Sequence, residues 1–212
     1  LGDMVTKLHV VMLPSWFPSA HSSVNGIFIA EQARLLARYV TLGVVYPDLR
    51  SARQLRPSTI AAQHFQTREE LDDGVRVVRQ LGWNVPRPRV QAALYLRPAL
   101  RMLRSYIRRH GRPDLLHAHS VFWGGHAASV AARELGIPYL VTEHWSGYGD
   151  GEVTAWQGTV ATRVFREAGA VVCVSKALAN ALESYVGGRE VGVIANPIDT
   201  DFFDLPHEPP PK

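Results

Sequence analysis

The segment DLLHAHSVFWGGHAASVAARELGIPYLVTEH, residues 114–144, contains the repeating unit of the fold. Its two ends, DLLHAH and IPYLVTEH, are short apolar runs that are typical of strands buried on both faces of a sheet. The stretch between them has the length of a helix and ends at Gly136, a residue type that commonly follows the last helical turn. A strand, a helix and a second strand in this order predict a right-handed crossover between two parallel strands.

The same alternation continues on both sides of this unit. Further strands are predicted at residues 8–13, 40–47, 75–81, 170–175 and 190–196. Further helices are predicted at residues 26–39, 90–110, 153–168 and 176–186. Strands that alternate with helices along most of a chain predict the α/β class, with a doubly wound, mainly parallel, Rossmann-like sheet.

The composition is that of one globular domain. The chain has 212 residues, of which 46% are hydrophobic and 20% are charged. No run approaches the ~20 apolar residues of a membrane span, and the first residues lack the layout of a signal peptide. The single cysteine, Cys173, cannot form an internal disulfide. We therefore expect a cytoplasmic protein, with a domain at residues 1–203 and the start of a proline-rich interdomain linker at 204–212.

Polar and aromatic residues follow several of the predicted strands. In an open parallel sheet, ligands bind beyond the carboxyl ends of the strands, so these residues mark a candidate site. The loop PSWFPSAHSSVNG contains Trp16 and ends at Gly26, where a helix begins. Free N–H groups at that helix N-terminus would suit a phosphate, although Asn-Gly also fits an ordinary turn. The aromatic residues in or beside these loops fit either core packing or faces on which a sugar can stack: Trp16, Phe17, Trp123, Trp145 and Tyr148.

The pair His117 and His119 allows two chemical interpretations. Residues two apart on a strand point to the same face, and His144 follows the next strand. Together with Glu143, the three histidines offer the ligands of a zinc site, as in a metal-dependent hydrolase. Alternatively, an imidazole at a strand end positions a hydroxyl or moves a proton. The sequence has no cysteine pair to support a metal, which favours the second interpretation, with His117 as a hydrogen-bonded core residue.

Three segments in this order resemble a known enzyme family. They are PSWFPSAHSSVNGIFIAEQARLLA, the segment at 114–144, and AGAVVCVSKALANAL followed by VIANPIDTDFF. Together they are similar to the N-terminal half of retaining family 4 glycosyltransferases, and the resemblance covers residues 8–203. It implies one half of a GT-B fold, in which two Rossmann-like domains face a cleft. This chain would be the N-terminal, acceptor-binding domain, with the C-terminal donor domain absent.

The resemblance also implies roles for individual residues. Gly26 and Ser175 would approach the donor diphosphate, and Ser175 would do so by capping a helix at the cleft. His119 would be the catalytic residue that faces the reacting sugar. Asp199 would form the hinge to the second domain. The acceptor side would be lined by Trp16, Glu143, His144, Trp145 and Asn196.

The implied activity is transfer of a sugar from a UDP- or GDP-sugar to a carbohydrate or lipid-linked acceptor, with retention. The resemblance implies no metal and no tightly bound cofactor. The donor-binding carboxylates and basic pair of the family lie in its C-terminal half, and no residue here matches them, so we expect no transfer by this chain alone. The first loop has one glycine where many members have two, and the hinge reads ANPID. The alternative is a non-catalytic, Rossmann-like binding module.

The predicted helix at residues 90–110 carries a basic stripe. Its arginines recur every three or four residues, at Arg97, Arg101, Arg104 and Arg108. A neighbouring apolar row would face the core, with Pro98 near the first turn. The stripe fits either a solvated face or contact with anionic lipid at the inner membrane surface. A net charge of only +4 and the lack of a recognised motif argue against nucleic acid as a partner.

Overall fold

The computed structural model describes residues 7–20, 22–51, 53, 57, 66–198 and 200. The strands of these residues are β1 (His9–Pro14), β2 (Thr41–Ser51), β3 (Thr67–Asp72), β4 (Val75–Asn84), β5 (Leu115–His119), β6 (Tyr139–Glu143), β7 (Ala170–Cys173) and β8 (Gly192–Val193). They form one sheet in the order β3-β4-β2-β1-β5-β6-β7-β8. Every neighbouring pair is parallel except β3 and β4. The predicted mainly parallel α/β sheet is therefore confirmed.

Helices connect most of the parallel strands. The α-helices of the described residues are α1 (Ile27–Ala37), α2 (Pro88–His110), α3 (His126–Leu135), α4 (Ala155–Glu167) and α5 (Lys176–Val186). Two short helical turns, Val121–Gly125 and Ser146–Tyr148, follow β5 and β6. These two turns place aromatic side chains directly beyond the ends of the strands.

The sheet separates two apolar cores. On β1, Val11 and Leu13 belong to one core and Val10 and Met12 to the other, because successive side chains of a strand point to opposite faces. Buried residues of α2, α3, α4 and α5 fill the first core, while α1 packs in the second. Helices on both faces make this a doubly wound sheet, as predicted.

The carboxyl ends of the central strands lie side by side. Pro14 of β1 is in register with His119 of β5, which is in register with Thr142 of β6. On the other side of β1, Ser51 ends β2 beside Asn84, the last residue of β4. Loops that are far apart in the sequence therefore meet at one edge of the sheet.

The sequence prediction misses β3. Its residues, TREELD, are mostly charged and lack the apolar run by which the other strands are recognised. β3 pairs antiparallel with β4 through a tight turn at Asp73 and Gly74, both of which have positive φ, 46° and 81°. Charged side chains are typical of an edge strand, because they hinder pairing with another chain.

The prediction for Pro98 is wrong. Helix α2 begins at Pro88, so Pro88 occupies the first turn and Pro98 lies inside the helix. A proline inside a helix removes one backbone hydrogen bond. The helix nevertheless continues, because Leu100 and Leu103 in the following turn are buried in the core.

Part of the prediction falls outside the described residues. This part comprises the hinge residue Asp199, the domain end at residue 203 and the linker at 204–212. In the part of the chain that is described, no helix has the length and apolar character needed to cross a membrane.

Candidate functional site

A cavity of about 250 Å³ lies at the carboxyl edge of the sheet, and we call it the rim cavity. Its walls come from the ends of β1, β2 and β4, the first turns of α2, and the turns after β5 and β6. Four amides, six aromatic rings, two serines, a proline and a leucine line it: Asn25, Asn84, Gln91 and Gln157; Trp16, Tyr46, Tyr95, Phe122, Trp123 and Trp145; Ser15 and Ser120; Pro47; and Leu49. None of these described lining residues is Asp, Glu, Lys, Arg or His.

This lining has a definite chemical character. Each amide side chain offers both donors and an acceptor, which matches the hydrogen-bonding capacity of a hydroxyl group. The aromatic rings offer flat apolar faces. A cavity that combines apolar walls with a few polar groups is the usual form of a small-molecule site.

Trp16 and Trp145, which the sequence singled out, both lie in the wall of the rim cavity. The Trp145 ring packs edge-on against Phe122 at 5.6 Å and against Tyr148 at 5.4 Å between ring centroids. A Cβ at Gly147 would overlap the Trp145 indole, so the glycine allows the ring to lie against the backbone. The aromatic neighbours thus hold this indole in one position.

Asn84, one of the lining residues of the rim cavity, has a poorly satisfied amide. Its Oδ1 atom is buried and has no hydrogen-bond partner among the described residues. Other groups in the wall are occupied: the Tyr95 hydroxyl donates to the Pro14 carbonyl at 2.6 Å, and Gln157 Oε1 accepts from the Thr154 backbone N–H at 3.1 Å. A buried acceptor without a donor is unfavourable, so a ligand hydroxyl near Asn84 would be stabilised.

Three histidines form a row at the ends of β5 and β6, in which His117 and His119 are buried and His144 is partly buried. His117 Nε2 lies 2.8 Å from Thr142 Oγ1, and His119 Nδ1 lies 3.0 Å from His144 Nε2. The ring centroids of His117 and His119 are 4.2 Å apart, and the His119 and His144 rings stack at 5.3 Å. The prediction that His117 is a hydrogen-bonded core residue is confirmed. His119 is also fully buried, at 0% exposure.

The histidine row is neutral near pH 7. Burial lowers the pKa of His117 to about 3 and the pKa of His144 to about 4, and it holds the pKa of His119 well below its usual value. His119 Nε2 and His144 Nδ1 are buried and lack a hydrogen-bond partner among the described residues. A neutral imidazole donates with one nitrogen and accepts with the other, so the contact between His119 and His144 fixes which nitrogen remains available.

The histidine row does not fit a metal site. No group of three or more His, Cys, Asp or Glu side chains in the described part of the chain is arranged to hold a metal ion. His117 Nε2 and His119 Nδ1 are used in hydrogen bonds to Thr142 and His144. The geometry therefore does not support the metal hydrolase alternative.

Glu143 is bound by the backbone rather than directed into the rim cavity. Its carboxylate accepts from the backbone N–H groups of Val121, His144 and Trp145, each at 2.9 Å, and it is completely buried. Burial raises the pKa of Glu143, while the hydrogen bonds oppose that rise. The carboxylate thus joins the turn after β5 to the loop that carries Trp145. Its contact with an acceptor stays a prediction.

Gly26 sits where the backbone approaches itself closely. Its φ is 73°, and a Cβ at this position would lie 2.6 Å from the carbonyl carbon and oxygen of Trp16. The first turn of α1 then reaches the histidine row, since the rings of Phe28 and His144 are 4.9 Å apart. No side chain of the described residues caps α1. The predicted contact of Gly26 with a diphosphate is compatible with this open N-terminus but stays a prediction.

Ser175 and Asn196 lie away from the rim cavity. Ser175 caps α5, as predicted, by accepting a hydrogen bond from the Leu178 N–H at 3.2 Å. Asn196 is exposed and follows β8. The ligand contacts predicted for these two residues are not tested by the structure, and Asp199 lies outside the described residues.

Sequence reasoning missed all four amides in the rim cavity. Asn84 ends β4, so the rule that placed other candidates at strand ends would have found it. Gln91 and Tyr95 are four residues apart on α2 and therefore share one face of the helix. Asn25 and Gln157 lie on unrelated loops and helices, and only the folded structure brings them together.

The protein is thus an α/β domain with a doubly wound sheet and a cavity at the carboxyl edge, where ligands bind in open parallel sheets. The model of Glycosyltransferase Family 4 matches residues 26–202 of the chain. The chain therefore belongs to glycosyltransferase family 4. This membership confirms the resemblance seen in the sequence and favours an enzyme domain over a non-catalytic module.

Comparisons with individual proteins agree with this assignment. The proposed teichuronic acid biosynthesis glycosyltransferase TuaC of Bacillus subtilis (strain 168) is 26% identical over 142 residues, which are 66% of this chain and 36% of TuaC. The chain thus spans about a third of that relative. A sucrose-phosphate synthase structure from Thermosynechococcus elongatus has a TM-score of 0.57 at 15% identity and covers 92% of this chain and 91% of its own.

A second solved structure extends the comparison of the fold. Arabidopsis thaliana UGT89C1, complexed with UDP-L-rhamnose, has a TM-score of 0.51 at 13% identity and covers 95% of this chain and 56% of its own. At such identities the two structures show the fold alone. They support the prediction of a Rossmann-like domain of the GT-B type.

Proposed function

We propose that this chain is the acceptor-binding domain of a glycosyltransferase and that the rim cavity holds the acceptor. The observation that carries the proposal is the lining of this cavity by aromatic faces and amide groups at the carboxyl edge of the sheet. Membership of glycosyltransferase family 4 supports the sugar chemistry. In the proposed reaction, a UDP- or GDP-sugar is the donor, a second GT-B domain binds most of it, and transfer proceeds with retention.

The histidine row is proposed to act beside the rim cavity. We assign His119 to the reacting sugar, because its Nε2 is unpaired while its Nδ1 is fixed by His144. A neutral imidazole held in this way can orient a hydroxyl without placing a charge in the site. Gly26 and Ser175 lie at the N-termini of α1 and α5, where the helix dipoles would favour the donor diphosphate.

The chain by itself is proposed to bind the acceptor but not to transfer sugar. The test incubates the purified chain with UDP- and GDP-sugars and with neutral glycosides, and it measures both nucleoside diphosphate release and glycoside binding. We expect binding of glycosides without acceptor-dependent release. Transfer by the chain alone would contradict the proposed division of labour between two domains, and a failure to bind any glycoside would contradict the acceptor role.

A second proposal concerns the basic stripe on α2, which we assign to the anionic inner face of a membrane. Arg97, Arg101, Arg104 and Arg108 are all exposed, as predicted for a stripe. Two of them, Arg97 and Arg101, lie beside an apolar groove of about 560 Å³ between α2 and the end of β4. No Asp or Glu is among its described lining residues. Apolar surface flanked by arginines suits an anionic lipid surface.

Flotation with lipid vesicles tests the membrane proposal. We expect the chain to float with phosphatidylglycerol vesicles and not with phosphatidylcholine vesicles. Replacing Arg97 and Arg108 by Glu should weaken this binding about tenfold or more, since each basic residue near an anionic surface contributes about 1 kcal/mol. The control reverses the same number of exposed charges elsewhere, with Arg133→Glu and Arg166→Glu. Equal flotation of the two variants would contradict the assignment to α2.

A further inference from the structure

The described residues in the wall of the rim cavity carry no formal charge, unlike those of many ligand sites. Its described lining residues include no carboxylate, ammonium, guanidinium or imidazole group. Asp48, which lies near the end of β2, faces a separate small pocket that it shares with Arg79 and Arg68. A charged ligand entering the rim cavity would therefore leave water without meeting a counter-charge from the described lining residues.

A charged ligand is strongly disfavoured in the rim cavity. Moving a carboxylate or phosphate out of water is costly unless an opposite charge or several hydrogen bonds replace the lost hydration. A hydroxyl group needs only a single donor or acceptor, and the amides of Asn25, Asn84 and Gln91 supply both. The chemistry of the wall thus selects uncharged, hydroxyl-rich ligands over anionic ones.

The volume and the aromatic walls of the cavity further restrict which ligands fit. Its volume of about 250 Å³ lies below the ~300–1,000 Å³ of pockets for drug-sized ligands, so it holds one small ring and not a chain of rings. The indoles of Trp16 and Trp145 in its wall present flat apolar faces. A pyranose ring has apolar C–H faces and polar hydroxyl edges, which match the indoles and the amides respectively.

Asn84 offers one specific contact that would favour an uncharged, hydroxyl-bearing ligand. Its buried Oδ1 atom lacks a partner among the described residues and can only accept a hydrogen bond. A ligand O–H supplies the missing donor, whereas a carboxylate or a phosphate dianion offers only further acceptors at that point. The contact therefore favours a hydroxyl and repels an anion at the same atom.

We infer that the rim cavity binds a single uncharged pyranose ring, that Asn84 accepts a hydrogen bond from one of its hydroxyls, and that uronate and phosphorylated rings are excluded. This inference rests on the proposed acceptor role of the cavity and names the chemical class of the acceptor unit. Asn84 is then a specificity-determining residue of the site.

Matched pairs of glycosides test the inference. The purified chain is titrated by NMR with the methyl glycosides of glucose, galactose and mannose and with the corresponding methyl uronides. We expect at least one neutral glycoside to bind roughly tenfold or more tightly than its uronide, because the uronide buries an unpaired charge. A uronide that binds as tightly as its neutral partner would overturn the inference and leave the acceptor role standing. A lack of binding by every compound would overturn both.

The variant Asn84→Leu separates a ligand contact from a structural role. Leucine has a similar size, so we expect neutral glycoside affinity to fall about 2- to 13-fold, the value of one net hydrogen bond. The midpoint of urea unfolding should stay the same or rise, because an unpaired buried acceptor is removed. The matched control, Asn180→Leu, changes an exposed amide on α5 and should leave binding unaltered. Unchanged affinity or a lower midpoint in Asn84→Leu would contradict the inference.

Discussion

Two polar side chains at the carboxyl edge of the sheet behave in opposite ways. Glu143 at the end of β6 is completely buried, and three backbone N–H groups donate to its carboxylate. Asn84 at the end of β4 has a buried amide oxygen without a partner among the described residues. The first side chain holds the protein's own loops together, and the second has an acceptor that no described group satisfies. Two side chains at strand ends of the same sheet edge therefore differ in hydrogen-bond satisfaction, which the sequence does not show.

The contrast between Glu143 and Asn84 predicts that removing Glu143 has the largest effect on stability. Glu143→Ala leaves three buried backbone donors without an acceptor, so the free energy of unfolding should fall by about 3–5 kcal/mol. Urea denaturation monitored by circular dichroism measures this change. Glu183→Ala, an exposed carboxylate on α5, serves as the control and should change stability by less than about 0.5 kcal/mol. A small effect of Glu143→Ala would show that its buried contacts do not support the loops.

Gly26, at the start of α1, provides a second test of close backbone contacts at the carboxyl edge of the sheet. Gly26→Ala places a Cβ 2.6 Å from the Trp16 carbonyl group at a positive φ, so the variant should lose about 2–4 kcal/mol of stability. Gly188→Ala also has a positive φ, of 78°, but meets no atom within 4 Å, and it should lose only about 1 kcal/mol. Thermal unfolding of both variants gives the difference, which isolates the contact with Trp16. Equal losses would mean that this contact is easily relieved.

Acid pH tests whether the histidine row is held neutral. Unfolded His117 gains its proton near pH 6.5, whereas burial lowers the pKa of folded His117 to about 3. Between these values the unfolded state binds more protons, so the free energy of unfolding falls as the pH decreases from about 6.5 and is unaffected above it. One such histidine contributes a slope of up to about 1.4 kcal/mol per pH unit.

The variant His117→Gln isolates that slope. Urea unfolding is measured at intervals from pH 7 to pH 4 for both proteins, and other titrating groups largely cancel in the difference. Below pH 6.5, we expect the free energy of unfolding to fall less steeply with decreasing pH in the variant than in the unchanged protein. The two slopes should differ by the effect of about one proton. Identical slopes in the two proteins would contradict a buried, neutral His117.

The sequence predicts the fold better than it predicts the site. The buried strands and their helices follow from apolar periodicity, which is a local property of the chain. The sequence does not predict β3, because its residues, TREELD, are mostly charged and take part in the sheet only at its edge. Pro98 was misplaced because a proline usually marks a helix end, whereas burial of the following turn carries α2 past it.

The candidate site is harder to predict from the sequence than the fold, because it depends on residues that are far apart in the chain. Trp16 and Trp145 were found because aromatic residues in loops after strands are conspicuous, and both line the rim cavity. The backbone contacts of Glu143 depend on the way two loops fold together, so the sequence does not predict them, and its contact with an acceptor stays a prediction. Asn84 and Gln91 were missed, since a single amide has no sequence pattern and its role depends on neighbours far away in the chain.

The most direct test of the acceptor role maps where a neutral sugar binds. In NMR spectra of the isotope-labelled chain, titration with the tightest-binding neutral methyl glycoside should shift the indole N–H signals of Trp16 and Trp145 and the side-chain amide signals of Asn84. The side-chain amide signals of Asn180, an exposed residue on α5 that serves as a remote reference, should move little. Shifts confined to residues outside the rim cavity, or no shifts at all, would contradict the assignment of this cavity to the acceptor.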